Sequence, residues 1–240
     1  RVRYKNTVLG YAWSVLNPLV MLGVLVVVFS YINPLHYSHH FAIFLLLGMI
    51  PFNFFSLCIT PATTCIFDNA ALVKKIIFPR KILPISVVLS QVIHLLIQLA
   101  ILGIIMLILA MKPDWIWLWL PVTYIVELVF IIGIAMALSA LNVYYRDTQY
   151  LVQSVLTVLF WFTPIIYSLQ TVKKSLIPPL YWLYLLNPMA GCIDAARNVV
   201  LEYRHPDWES FATAVIVSIL VFLAGLIVFS SKEKDFADKL

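Results

Sequence analysis

From Asn6 to Phe67, and again from Ile82 to Met111, the chain carries no Asp, Glu, Lys or Arg. A bilayer-spanning helix needs only about 20 consecutive apolar residues, so each run is long enough to hold at least one span. Between the runs lies a charged island, Asp68 to Pro84, with the sequence DNAALVKKIIFPRKILP. Such an island must sit where charge is tolerated, in water or at a membrane surface. It reads as a short helix: Asp68 is placed to cap the first turn, and Leu72, Val73, Ile76 and Ile77 fall on one face. Lys74 and Lys75 approach the negative end of the helix dipole. Pro79 stops the helix, because the residue before a proline is pushed out of helical geometry. Two readings follow, a solvated loop that fixes topology by its positive charge or a docking surface for a cytoplasmic partner.

Composition supports the same class. With 63% hydrophobic and only 11% charged residues and a mean hydropathy of +0.99, the chain is an integral membrane protein. The net charge of +5 reads as a topology and membrane-surface signal, since no basic and aromatic surface suited to nucleic acid lies outside the spans. Cys58, Cys65 and Cys192 show neither metal spacing nor a disulfide framework. His36, His39 and His40 form a cluster without a neighbouring carboxylate or cysteine, so no metal site is assigned. The chain begins at Arg1, and a further N-terminal piece is expected to precede it.

The expected fold is an all-α transmembrane domain covering residues 1–240, with spans at about 16–32, 41–65, 85–111, 117–141, 150–167 and 211–230. Asn17 and Pro18 suit the start of the first span as cap and first helical residue, with Tyr4, Tyr11 and Trp13 as interfacial anchors. Pro51 and Pro61 predict a kinked or broken second span. In the third, Gln91, His94 and Gln98 form a polar stripe that must face protein or a wet cavity. Trp115, Trp117 and Trp119 read as an aromatic belt at the start of the fourth. Glu127 is the acidic residue well inside that span, and by depth it is predicted to pair with Gln98. Gly133 and Ala137 offer a small-residue packing face. Thr163 and Pro164 interrupt the fifth span. Beyond it, Ser175 to Ile193 is apolar but carries Pro178, Pro179 and Pro188, and it reads as broken, re-entrant or interfacial helices, tolerated at membrane depth only where buried in protein or lining a cavity.

Most of the 16 basic residues fall before the first span, in the island, at Arg146 or after the last span. The other side holds Lys112, Lys173, Lys174, Arg197 and Arg204. This asymmetry predicts that both termini are cytoplasmic. There is no phosphate loop of the form GxxxxGK[ST], no HExxH and no pair of carboxylates at a membrane surface, so no catalytic residue is assigned. If the protein moves something uphill, its energy is expected to come from another subunit, and the island is the place to receive that subunit's motion.

Three segments carry a family likeness: RYKNTVLGYAWSVLNPLV (Arg3 to Val20), ALNVYYRDTQYLVQSVLTVLFWFTPIIYS (Ala140 to Ser168) and LNPMAGCIDAARNVVL (Leu186 to Leu201). Together they make the chain similar to the membrane permeases of ATP-binding-cassette exporters for cell-surface polysaccharides, the group that includes O-antigen, capsule and teichoic acid permeases. The resemblance implies a homodimer of six-helix halves, each engaging a separate ATP-hydrolysing subunit that holds the ATP and Mg, with no cofactor in this chain. It implies a coupling helix over Asn69 to Phe78, with Asp68, Asn69, Lys74, Lys75, Phe78 and Arg80 as contacts to the ATPase, and re-entrant gate helices on the outer face around Ile177 to Ala195. The cargo implied is a glycan on a polyprenyl diphosphate, for which Arg1, Arg3, Lys5 and Arg146 are candidate head-group ligands. Arg146 has a competing role as an ion pair with Asp147. Phe160, Trp161, Tyr167, Tyr181 and Tyr184 are candidates to line the glycan path, or else belt and core residues. Two other readings stay open at this point, a permease for a drug or small lipid and a membrane enzyme or structural subunit without transport activity.

Overall fold

The computed structural model describes residues 40–75 and 78–240, together with 20, 21, 23, 24, 27 and 28, which are helical; for 237 and 238 only the backbone is described. The expected first span, the residues before it and the histidine cluster apart from His40 therefore lie outside the described residues or nearly so, as do Ile76 and Ile77. The regular elements are α1 (Phe41–Asp68), α2 (Ala70–Lys75), α3 (Ile82–Ile108), a 3-10 turn (Trp115–Leu118), α4 (Trp119–Tyr144), α5 (Thr148–Phe162), α6 (Leu169–Ser175), α7 (Pro178–Leu185), α8 (Pro188–Leu201), α9 (Trp208–Lys232), a second 3-10 turn (Glu233–Asp235) and α10 (Phe236–Lys239). Among the described residues there is no strand.

Among the described residues, four stretches are long and apolar enough to cross a bilayer: Phe41–Asp68, Ile82–Ile108, Trp115–Tyr144 and Trp208–Asp235. α5 is shorter, 15 residues. At about 1.5 Å per residue it falls short of a hydrocarbon core about 30 Å thick. The alternating direction of these helices sorts the connections into two ends. The α2 end holds residues 69–81, 145–147 and everything after α9; the α7 end holds residues 109–118 and 163–207.

α1 is the pillar. Ile43, Leu45, Leu47, Phe54, Ile59 and Ile66 point in different directions around it, yet all are buried, as expected of a helix that is apolar all round. It packs on α3, α4, α5 and α8, with the Phe55 and Phe130 rings stacked at 5.7 Å. It also runs as one helix through Pro51 and Pro61, so of the expected kink or break the break is absent; a buried helix tolerates proline better than an exposed one because its neighbours hold it in place. α3 and α9 lie at the periphery and expose apolar side chains such as Ile93, Leu107, Ile216 and Ile227.

The predicted small-residue face forms at Gly133, where an added Cβ would stand 2.6 Å from Phe222 Cα, and the partner on α9 is Gly225, whose own Cβ would strike the Gly133 carbonyl. Backbones at that spacing need glycine on both helices. α3 unwinds at Ala110, which takes a left-handed φ of 53°, as Met111 N–H donates back to Met106 O at 3.0 Å and closes the helix end. Asp114 then caps the following turn by accepting from Ile116 N–H at 2.9 Å. The expected fifth span stops at Phe162, five residues early, because Thr163 is extended (φ −90°, ψ 140°) and proline follows it.

Candidate functional site

At the α2 end the short helix is Ala70–Lys75. Asp68 does not cap it: the residue is the last of α1, and its Oδ2 accepts from Thr64 Oγ1 at 2.7 Å. α1 thus continues past the point where the sequence suggested a restart, and Asn69, whose side-chain amide donates to Cys65 O at 2.8 Å, makes the turn. Of the apolar face, Val73 is buried while Leu72 is exposed. Asp68, Asn69, Lys74 and Lys75 are open to solvent, Phe78 is half-buried, and Phe78 packs against a small core of Cys65, Ile66, Val73, Met136, Ala140, Val143, Phe229 and Phe236. Arg80 is engaged within the chain. Its backbone N–H donates to Glu233 Oε1 at 3.1 Å, and its guanidinium donates to the Glu233 carbonyl.

Arg146 is exposed and makes no ion pair with Asp147; among the described residues the salt bridges are Lys173–Glu209 and Arg204–Glu202. Its guanidinium lies over the Phe67 ring instead, 4.9 Å from the centroid. Adjacent residues on a tight turn project in different directions, which separates the expected pair. Arg1, Arg3 and Lys5 lie outside the described residues.

The α7 end is built around a side chain that the sequence did not single out. Arg197, on α8, is 5% exposed and has no salt bridge among the described residues. Its five N–H donors go to backbone carbonyls: Pro164 O (2.6 Å), Ile165 O (2.6 Å), Tyr167 O (2.9 Å) and Phe44 O, reached by both Nε and an Nη (3.3 and 3.1 Å). The guanidinium also stacks on the Phe44 ring at 3.5 Å. The chain between α5 and α6 is irregular, its carbonyls unpaired by any helix, and Arg197 collects three of them while holding the start of α1. The signal in the sequence was a lone cation in the apolar run AGCIDAARNVVL, which needs an acceptor cage if it is buried.

The short helices around it have their own caps. Ser168 accepts from Thr171 N–H at 3.2 Å, and Asn187 accepts from Met189 N–H at 3.2 Å while donating to Thr163 Oγ1 at 3.1 Å. Asp194 accepts from Asn198 (3.1 Å) and Ser210 (3.3 Å). The five aromatic residues proposed for a path separate here. Tyr181 is 4% exposed and belongs to the packed interior, whereas Phe160 is half-buried and packs edge-on against Phe52 at 5.3 Å. Trp161 is 62% exposed. Tyr167 and Tyr184 are half-buried with their hydroxyls 3.3 Å apart. Tyr184 also lines an apolar cleft of about 500 Å³ between α5 and α7, with Val158, Phe162, Leu180 and Leu183.

In mid-helix, Gln98 and Glu127 are buried as expected, and Gln91 and His94 are half-buried. The predicted Gln98–Glu127 pair does not form: neither side chain has a hydrogen-bond partner among the described residues. α1 packs extensively on both α3 and α4, which touch each other much less, so two residues at matching depth in sequential helices face different neighbours.

Residues 1–201 match the ABC-2 type transporter family. The whole chain aligns with an O-antigen export system permease protein RfbA of Myxococcus xanthus, 28% identical over 240 residues and 91% of that protein. An O-antigen export system permease protein RfbA of Klebsiella pneumoniae is 29% identical over 242 residues, again across 100% of this chain and 91% of the relative. A polysialic acid transport protein KpsM of Escherichia coli is 26% identical over 243 residues, covering 98% of this chain and 90% of its own length.

Proposed function

The chain belongs to the ABC-2 type transporter family, and on that premise we propose that it is the permease subunit of an ATP-driven exporter that moves a lipid-linked polysaccharide across the cytoplasmic membrane. What carries the reading is the end-to-end alignment with O-antigen and polysialic acid export proteins. In the proposed assembly two copies of the chain, each with six spans, enclose the path, and each copy engages one ATP-hydrolysing partner that binds ATP and Mg. The α2 end faces the cytoplasm with both termini; the α7 end faces outward.

Helix α2 is then the coupling helix. Its exposed Lys74 and Lys75 form a cationic face for an acidic cleft of the partner, and charge complementarity sets register and encounter rate there. α1 begins beside the Arg197 cage and ends beside α2, so at about 1.5 Å per residue its 28 residues make a rod about 42 Å long between the two. Displacement of α2 on nucleotide binding reaches the outward face along this rod, where α6 to α8 act as the gate. Arg1, Arg3, Lys5 and Arg146 are the proposed ligands of the diphosphate head group at the inner surface, and of these Arg146 lies over the Phe67 ring. Phe160, Trp161, Tyr167 and Tyr184 offer faces and hydroxyls to sugar, whereas the buried Tyr181 serves as core.

The direct test is a reconstituted complex of this permease with its ATPase. Lipid-linked glycan should stimulate ATP hydrolysis, and the double variant Lys74→Glu/Lys75→Glu should abolish export while leaving the permease folded. Stimulation by small amphiphiles but not by lipid-linked glycan would point to a different cargo, and unaltered export by the double variant would remove the two lysines from coupling.

A further inference from the structure

α2 packs against α10, far off in sequence, as well as against the adjoining α1. α10 closes a charged stretch, SKEKDFADK, in which Phe236 is the lone aromatic residue. Phe236 is nonetheless fully buried. It sits edge-on to Phe229 at 5.4 Å and shares a core with Val73 of α2 and with Met136, Ala140 and Val143 of α4. Two further contacts pin the same segment: Glu233 takes both the N–H and the guanidinium of Arg80, just after α2, and Asp235 accepts from Tyr144 Oη, at the end of α4, at 3.0 Å. Lys232 adds its ammonium over the Tyr144 ring at 4.1 Å.

A helix this short, six described residues, cannot hold itself together, because its first turn fixes several residues for a single hydrogen bond. Its position depends on what it packs against. Resting on the reading of α2 as the coupling helix, we propose that residues 233–239 are a brace that positions α2 and ties it to α4 and α9, with Phe236 and Glu233 as positioning residues for energy coupling. Arg80 then belongs to the brace and not to the partner contact. Lys74 and Lys75 lie on the free side of α2 and make the contact itself. A thrust on α2 reaches α4 and α9 through Phe236 instead of being absorbed in the loops on either side.

The experiment compares Phe236→Ala, Phe236→Leu, Glu233→Ala and Lys74→Glu/Lys75→Glu in the reconstituted complex, reading partner binding, export per ATP hydrolysed, and amide hydrogen exchange. Phe236→Ala should retain the partner but lower export per ATP by about tenfold, a typical coupling magnitude. Exchange should accelerate over residues 70–75 with the other helices unchanged, which a loss of global stability would not produce. Phe236→Leu should restore both, and Glu233→Ala should give a smaller loss of the same kind. If Phe236→Ala fails to fold, Glu233→Ala carries the test. Unchanged export and unchanged exchange in the Phe236→Ala or Glu233→Ala variant, while the lysine reversal abolishes export, would overturn the brace and leave the coupling helix standing. A lysine reversal without effect would overturn both.

Discussion

Among the described residues, Arg197 and Glu127 are buried under opposite conditions. Arg197 at the α7 end spends every donor on a carbonyl and stacks on Phe44. Glu127, midway along α4, has no hydrogen-bond partner for either oxygen among the described residues. The contrast shows how burial alone misleads. A guanidinium is planar, always charged and rich in donors, so irregular backbone full of open acceptors is its natural host. A carboxylate finds no such supply beside regular helices, where N–H groups are already committed. The first arrangement fastens three chain segments together. The second fastens nothing, and its interest lies in the packing around it.

The largest effect is therefore expected at Arg197. Arg197→Met removes five hydrogen bonds and strands the carbonyls of Pro164, Ile165 and Tyr167 away from water, which should cost about 3–5 kcal/mol. Thermal unfolding of the purified permease would show it, and export should be lost. Arg197→Lys keeps the charge but not the fork, and it should recover less than half of the stability. If Arg197→Met melted with the parent, the cage would be ornamental. Gly48→Ala attacks the same joint from the other side, since the new Cβ would lie 2.8 Å from an Arg197 Nη and 2.9 Å from Ile165 Cα. Crowding of that kind costs about 1–3 kcal/mol. The same measurement should place it below Arg197→Met but clearly above a surface change.

Glu127 sharpens the comparison by its indifference. An ionised carboxylate buried without a partner is costly, so Glu127→Gln, equal in shape and uncharged, should leave stability unchanged or raise it by about 1 kcal/mol. A fall of several kcal/mol on that substitution would mean that Glu127 is as well provided for as Arg197, and the contrast would collapse.

Composition and hydropathy made the helical membrane class legible, and the glycine contact at Gly133 and the proline-broken stretch after α5 were legible too. These are local properties: apolar length, missing side chains, missing N–H groups. The Arg197 cage was not, because its acceptors are backbone carbonyls some thirty and 150 positions away, and every residue type has one. The Glu127–Gln98 pair was predicted from depth alone, which fixes height along a helix but not azimuth around it. Asp68 was assigned as a cap because α1 was ended three residues early, at Cys65. For Phe236 the clue was present, an aromatic ring in a charged segment, but its partner Val73 lies far off in sequence.

A third charge completes the series. Lys173 and Glu209 pair at 2.7 Å with side chains 50% and 35% exposed, at the same end of the molecule as Arg197 but open to water. Water competes for both partners, so Lys173→Ala should cost about 0.5 kcal/mol, resolvable only by careful melting against the parent. The hydrogen bond to Glu209 raises the Lys173 pKa. A cation stabilised in the folded state contributes fully below its unfolded pKa and loses that contribution only as pH rises through the higher folded value. Stability at this pair should thus be flat through neutrality and decline only in strong alkali. A variant as damaging here as at Arg197 would show that proximity to the gate, and not desolvation, decides what a charge at this end is worth.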